Sequence, residues 1–252
     1  MTEVVADPVS EAQRVLRAAD EAGVPLRAMG GIAVALTAPS IADLHPRRTY
    51  HDIDLAALPR APALSRLMTD LGYTAAQPFN TLNGSDRLLF HDAGGRRVDV
   101  FIETLRMCHA LPFGTRLELR AWTLPPADLV LSKLQIVELT DRDAQDLVAL
   151  LADHPLTASD IDGIGLGRIQ QICGGDWGWW RTVDDNLRRL LERWRAARAV
   201  TDSIQVQILD RAIERATALR AVLETCPKSL GWTIRAKVGS RLRWYDLPEE
   251  VR

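Results

Sequence analysis

The chain has 252 residues and a mass of 28.0 kDa; 47% of its residues are hydrophobic, 25% are charged, and its formal net charge is −2. This composition leaves room for a sizeable core and excludes collagen-like, low-complexity and disordered proteins. No apolar run approaches the roughly 18–20 residues that cross a bilayer, and the acidic first residues do not resemble a signal peptide. Three widely spaced cysteines predict neither a disulfide framework nor a zinc site. We therefore expect a cytoplasmic protein without a membrane partner.

The charge is distributed unevenly along the chain. Residues 1–150 carry 15 basic and 19 acidic side chains, whereas residues 186–243 carry 13 basic and 5 acidic ones. The near-neutral average therefore excludes only a uniformly basic nucleic-acid binder. Two interpretations of the arginine-rich segment stay open: helices that follow an RNA backbone, or ordinary solvated helix faces.

The first part of the chain, residues 1–125, is predicted to form a mixed α/β module. Its first helix is expected to begin at a capping box formed by Ser10 and Gln13 and to end at Gly23. The elements predicted after it are an extended segment at 24–29, a helix at 32–36, a strand at 51–55, a helix at 61–71, a hairpin of strands at 87–91 and 97–103, and a strand at 117–123.

The second part, residues 126–252, is predicted to be a helical domain that follows two consecutive prolines. Apolar residues recur there at the spacing of amphipathic helices. The elements predicted in it are helices at 128–139, 143–152, 186–200 and 204–223, and a short closing strand at 241–247.

Three aspartates and a glycine pair carry the chemistry. Residues two apart on a strand point to the same side, so Asp52 and Asp54 would lie together, and a neighbouring strand would bring Asp99 beside them. Clustered carboxylates repel one another unless a cation neutralises them, and Mg²⁺ or Mn²⁺ prefers such ligands together with substrate phosphates. Gly30 and Gly31, between a strand and a helix, offer N–H groups to a phosphate. This combination predicts phosphoryl or nucleotidyl transfer.

The order of these motifs resembles the nucleotidyltransferase superfamily with the polymerase-beta-like fold. The resemblance implies an α+β fold, in which a small mixed β-sheet flanked by helices is followed by a helical domain. It also implies that Gly30 and Gly31 grip the triphosphate and that Asp52 and Asp54 bind two divalent ions. Asp99 would help to bind one ion and activate the acceptor hydroxyl. The residues that carry the resemblance are 29–31, 48–55 and 98–100.

Residues 124–147 resemble the Lys-then-Asp element of bacterial nucleotidyltransferases, which include toxin components of toxin–antitoxin pairs. Lys133 is expected to reach the nucleotide phosphates, against the alternative of a lysine that snorkels from an apolar helix face. One of Asp143 and Asp146 would orient Lys133 while the other caps or solvates the helix, and we assign Asp146 to the nucleotide site. Arg48 is the remaining candidate for a phosphate contact.

The sequence thus predicts a nucleotidyltransferase that uses two Mg²⁺ (or Mn²⁺) ions to move an NMP from an NTP, ATP among the candidates, to an acceptor hydroxyl. RNA, particularly a tRNA end, is the first acceptor, and an antitoxin is the implied protein partner. A small-molecule acceptor such as an aminoglycoside, or a protein hydroxyl, comes next. Two other classes stay open: a non-catalytic nucleotide-binding or interaction module with the same fold, and a phosphotransferase in which Lys133 and Asp146 form a kinase-like pair.

Overall fold

The structure is a computed structural model that describes residues 4–59, 61–199 and 203–247. In chain order its elements are α1 (Pro8–Glu21), β1 (Leu26–Met29), α2 (Gly30–Thr37), α3 (Ser40–Leu44), β2 (Ile53–Ala57), α4 (Ala61–Asp70), β3 (Thr74–Ala75), α5 (Gln77–Asn83), β4 (Arg87–His91), β5 (Arg97–Ile102), β6 (Thr104–Arg106), β7 (Ala110–Pro112), α6 (Pro126–Leu134), α7 (Asp141–Asp153), β8 (Leu156–Thr157), β9 (Ile164–Gly165), α8 (Leu166–Gly175), α9 (Trp177–Arg198), α10 (Ser203–Thr225) and α11 (Leu230–Val238). The protein is α+β, with a small mixed sheet flanked by helices and a helical C-terminal region, as predicted.

The main sheet has five strands in the order β1-β2-β5-β4-β3. The central strands β2 and β5 are parallel, and the other neighbours are antiparallel. Ile53, Leu55, Val98 and Val100 are fully buried and share one face of the central strands, whereas the alternate residues Asp54 and Asp99 lie on the other face. The predicted hairpin of β4 and β5 is confirmed. The sheet therefore holds the two strands that carry the predicted acids next to each other.

The chain divides into two compact units. The first contains the described residues within 1–37, 47–105 and 112–125, and includes the five-stranded sheet. The second contains those within 38–46, 106–111 and 126–252. The segment 38–46 belongs with the C-terminal helices because the backbone N–H and the hydroxyl of Ser40 both donate to the carboxylate of Asp153, at 2.8 and 2.6 Å.

In the second unit, α6, α7, α8, α9 and α10 pack on one another. The predicted apolar face of α9 is confirmed, since Leu187, Leu190, Leu191 and Trp194 are buried. This helix begins nine residues before the predicted start at 186, because the carboxylate of Asp176 caps it by accepting from the backbone N–H of Trp179. Among the described helices, none is both long and apolar enough to cross a membrane.

The predicted start of the first helix is wrong. The N-cap is Asp7, whose carboxylate accepts from the backbone N–H of Ser10 at 2.8 Å, and Pro8 is the first helical residue. Aspartate is a good N-cap and proline is favoured at the next position. The Asp7-Pro8 pair therefore starts the helix before the predicted capping box is reached.

Two predicted strands are absent from the described residues. In the predicted strand at 117–123, the first two residues end a 3-10 helix at Gly114–Glu118. Thr123 forms one isolated bridge with Ala28. The apolar alternation there reflects Leu117, which is fully buried, whereas Leu119 is exposed. Residues 241–247 also form no strand, because their alternating apolar side chains do not share a buried face: Leu242 and Leu247 are both exposed.

Candidate functional site

Gly30 lies directly beneath the carboxylate of Asp54. The antiparallel register pairs Met29 of β1 with Asp54 of β2, so the next residue, the first of α2, meets that side chain. Gly30 has φ +62°, and a Cβ at this position would lie 2.2 Å from Oδ2 of Asp54. Only glycine combines this backbone conformation with so close an approach. One of the predicted phosphate-binding glycines therefore touches one of the predicted metal ligands.

Gly31 is covered by two side chains from the segment before β2. A Cβ at Gly31 would lie 3.3 Å from Nη2 of Arg48 and 3.4 Å from the ring of Tyr50. The guanidinium of Arg48 sits over the Tyr50 ring, 5.4 Å from its centroid. The structure thus places Arg48 beside the glycine pair, and its contact with phosphate stays a prediction. Tyr50 was missed, although its position two residues after Arg48 in an extended segment was a usable signal.

The parallel ladder places Asp54 of β2 opposite Asp99 of β5. Directly paired residues on neighbouring strands share a face and lie about 4.8 Å apart at Cα. Asp99 is buried, Asp54 is half-buried, and Asp52, which precedes β2, is exposed. Two of the three predicted carboxylates therefore lie side by side on adjacent strands.

Two arginines that the sequence motifs do not include, Arg87 and Arg97, surround Asp99. Nε of Arg87 donates to Oδ1 of Asp99 at 2.8 Å, and the Arg87 guanidinium lies over the ring of Phe101, 4.9 Å from its centroid. Nε of Arg97 lies 2.9 Å from Oδ2 of Asp99, and Nη2 of Arg97 lies 3.7 Å from Oδ2 of Asp52. We call Asp52, Asp54, Arg87, Arg97 and Asp99 the strand cluster.

The donor set of the strand cluster suits a hard cation. Its acids offer only carboxylate oxygens, the ligands that Mg²⁺ and Mn²⁺ prefer. Oδ2 of Asp99 is buried and accepts no hydrogen bond from the described residues, although it forms the ion pair with Arg97. Over the same part of the chain, no group of three His, Cys, Asp or Glu side chains is arranged to hold a metal ion. Binding of two ions by Asp52, Asp54 and Asp99 stays a prediction.

Lys133, Asp143 and Asp146 form a second group, which we call the helix cluster. Nζ of Lys133 donates to Oδ1 of Asp143 at 2.9 Å and lies 2.9 Å from Oδ2 of Asp146. Asp146 is fully buried. Asp143 also completes a capping box with Thr140 at the start of α7. One aspartate was expected to hold Lys133 and the other to cap the helix, but Asp143 does both.

Burial and charge oppose each other in the helix cluster. Burial by itself would lower the pKa of Lys133, but the carboxylates of Asp146 and Asp143 outweigh it and raise that pKa. Burial likewise opposes ionisation of Asp143, yet Lys133 and the hydrogen bonds of Thr140 lower its pKa. The helix cluster belongs to the second unit, whereas the strand cluster belongs to the first.

Much of the charge of the arginine-rich segment is used inside the second unit. Nε of Arg220 donates to the carboxylate of Asp184 at 2.7 Å, and Arg198 pairs with Asp210. Nη1 of Arg215 donates to two backbone carbonyls near the C-terminal end of α7, each at 2.7 Å. These arginines are therefore engaged within the protein, and only the arginines without such partners bear on whether the helices follow an RNA backbone or are ordinary solvated faces.

No protein-family model matches the chain, and no curated protein matches it at a significant level of sequence similarity. The resemblance to nucleotidyltransferases therefore depends on the motif residues. The functional interpretation depends on the geometry of the strand cluster and the glycine pair.

Proposed function

We propose that this protein is a metal-dependent nucleotidyltransferase that moves an NMP from an NTP to an acceptor hydroxyl and releases pyrophosphate. The observation that carries the proposal is the contact of Gly30 with Asp54, which is itself paired in register with buried Asp99. A helix N-terminus attracts the anionic phosphates of an NTP. The Asp54 carboxylate beside it repels them, and a cation between the two removes this conflict.

Asp52, Asp54 and Asp99 would hold the Mg²⁺ or Mn²⁺ ions. When bound, such ions neutralise the charge on the triphosphate and lower the pKa of the acceptor hydroxyl. The N–H groups at the start of α2 bind phosphate oxygens, and Arg48 places a positive charge beside Gly31. The acceptor oxygen attacks the α-phosphorus, pyrophosphate leaves, and Asp99 takes the hydroxyl proton.

For Lys133 and Asp146, a contact with the nucleotide stays a prediction. The two ion pairs of Lys133 favour a structural role that differs from the snorkelling alternative, since they join α6 to α7. The kinase-like alternative, in which Lys133 and Asp146 act as a pair, also stays a prediction.

RNA is the acceptor class that we propose first, with a tRNA end as its first candidate. Its support is basic charge in the described part of the second unit: Lys237, Arg241 and Arg243 form no ion pair with the acids of the described residues. Phosphate groups pair well with such cations. A small-molecule acceptor such as an antibiotic, and an antitoxin as a partner, stay predictions from the resemblance.

A second candidate function is a non-catalytic nucleotide-binding or interaction module. The observation that favours it is that two guanidiniums already compensate the carboxylate of Asp99. Such a module would bind an NTP without transferring any part of it.

The two functions are separated by incubating the protein with each α-³²P NTP, Mg²⁺ and total bacterial RNA, followed by a denaturing gel. We expect label on RNA, and we expect Asp54→Asn to reduce it at least about 100-fold, because the carboxylate charge that holds the cation is lost. Asp70→Asn, an equal change at an exposed position at the end of α4, serves as the control.

Undiminished labelling by Asp54→Asn would contradict the assignment of the metal ligands. Thermal stabilisation of the wild-type protein by an NTP, without transfer of label to RNA, a protein or an added aminoglycoside, would favour the non-catalytic module.

A further inference from the structure

Arg97 links two of the proposed metal ligands. Its guanidinium lies 2.9 Å from Oδ2 of Asp99 through Nε and 3.7 Å from Oδ2 of Asp52 through Nη2. Arg97 and Asp99 share a face of β5 because they are two residues apart. The parallel register, which pairs Ile53 with Val98, continues backwards to bring Asp52 beside Arg97. A single positive charge thus sits between these acids.

The two arginines of the strand cluster are held very differently. Arg87 forms an aligned hydrogen bond with Asp99 and lies against the rings of Phe101 and Phe79. Nε of Arg97 and Oδ2 of Asp99 are both buried and lie close together, but neither atom forms a hydrogen bond with the described residues. The Arg97 side chain is also 35% exposed. Arg97 is therefore the guanidinium that can leave the acids without disturbing packed rings.

We propose that Arg97 is an internal counter-ion that competes with the divalent cation for Asp52 and Asp99, and so sets the affinity of the site for metal. This inference rests on the proposed function, because it takes these acids as the metal ligands. A guanidinium and a divalent ion cannot both occupy the space between the same carboxylate oxygens, and their charges repel. Metal binding therefore requires the Arg97 side chain to turn towards solvent.

The test is a titration of the purified, metal-free protein with Mn²⁺, in which electron paramagnetic resonance measures the free ion. Arg97→Gln should bind Mn²⁺ about tenfold more tightly than wild type, because the competing charge is removed at a partly screened site. Arg97→Lys keeps the charge and should stay near wild type. Arg66→Gln removes an equal charge from an exposed position on α4 and should leave the affinity unchanged.

Adding Asp54→Asn to Arg97→Gln should abolish the gain, which would place the ion at the strand cluster. If Arg97→Gln changes Mn²⁺ affinity no more than Arg66→Gln does, while Asp54→Asn weakens binding, the competition is refuted and the proposed function stands. If wild type, Arg97→Gln and Asp54→Asn all fail to bind Mn²⁺, both proposals fail together. Thermal melting of each variant confirms that it is folded.

Discussion

The strand cluster and the helix cluster contain the same kinds of charged groups in different surroundings. In the helix cluster, Lys133 is largely buried between two carboxylates, one of which is also part of a helix cap. In the strand cluster, the charges range from buried Asp99 to exposed Asp52, and Gly30 keeps the space above the backbone open for Asp54. The charges of the helix cluster pair with one another inside the protein, whereas the strand cluster is open to solvent on the side of Asp52.

Because of this difference in burial, we expect the two clusters to contribute differently to stability and to ligand binding. A buried ion pair that loses one partner leaves an uncompensated charge in a medium of low polarity, so changes in the helix cluster should act mainly on stability. A partly exposed ion pair contributes little to stability. Changes at the exposed and half-buried members of the strand cluster, Asp52, Asp54 and Arg97, should therefore act more on ligand binding and transfer.

The largest effect on stability is expected from Lys133→Met. This change keeps most of the packing volume but removes the cation that contacts both Asp143 and Asp146, and we expect the free energy of unfolding to fall by about 3 kcal/mol. Urea unfolding followed by tryptophan fluorescence measures it. Arg142→Met, an exposed change on the same helix α7, should stay within about 0.5 kcal/mol of wild type.

A double variant, Lys133→Met with Asp146→Leu, sharpens this test. If the loss arises from a buried carboxylate that no longer has Lys133 beside it, removing the Asp146 carboxylate should restore part of the stability. If Lys133→Met lowers the free energy of unfolding no more than Arg142→Met does, the ion pairs of the helix cluster do not stabilise the fold. The comparison between the two clusters would then fail.

A smaller effect is expected from Gly30→Ala, at a position that lies against Asp54 of the strand cluster. The positive φ at Gly30 and the approach of Asp54 should together cost about 2 kcal/mol. Gly95→Ala is the matched control, because Gly95 has φ +83° and open space around it, and it should cost about 1 kcal/mol. Differential scanning calorimetry measures both.

The excess cost at Gly30 should disappear in an Asp54→Ala background, since the side chain that the new Cβ meets is then gone. An excess that persists there would show that the contact with Asp54 is not its cause. Gly30→Ala should also reduce transfer of label more than its loss of stability explains, whereas Gly95→Ala should not.

The placement of Asp54 and Asp99 could be derived from the sequence because strand patterns have a period of two, whereas Asp52 precedes β2, so the strand pattern alone does not decide its position. Alternation around Asp54 and around Asp99 indicated two strands and the face on which each acid lies. The glycine pair between a strand and a helix was readable in the same way. These are local signals, and tertiary packing did not override them.

The partners of those acids could not be derived in this way. The contact of Arg87 with Asp99 depends on the register between β4 and β5 and on the stacking against Phe101, neither of which the local pattern specifies. The double role of Asp143 depends on how α6 and α7 cross. Its spacing of three residues from Asp146 showed only that both share a helix face.

The smallest expected effect concerns the pH dependence of the helix cluster. The pKa of Asp143 is lowered in the folded protein, because Lys133 and Thr140 outweigh the opposing effect of burial. A lowered pKa means that the contribution to stability is present above the unfolded value of about 3.9 and is lost as the pH falls through the folded value. Asp143→Asn should therefore cost about 1 kcal/mol at neutral pH, and this difference from wild type should shrink below about pH 4.

Urea unfolding of both proteins between about pH 3 and pH 7 measures this difference, with Asp70→Asn as the exposed control whose effect should stay small throughout. The raised pKa of Lys133 adds a second limb with the opposite sign. Its contribution is present below the unfolded value of about 10.4 and is lost as the pH rises further.

A difference between wild type and Asp143→Asn that is equally large at pH 3 and pH 7 would mean that Asp143 acts through its shape at the helix cap. The charge of Asp143 would then not stabilise the helix cluster, and the proposed contrast between a stabilising helix cluster and a ligand-binding strand cluster would depend on Lys133 and Asp146 alone.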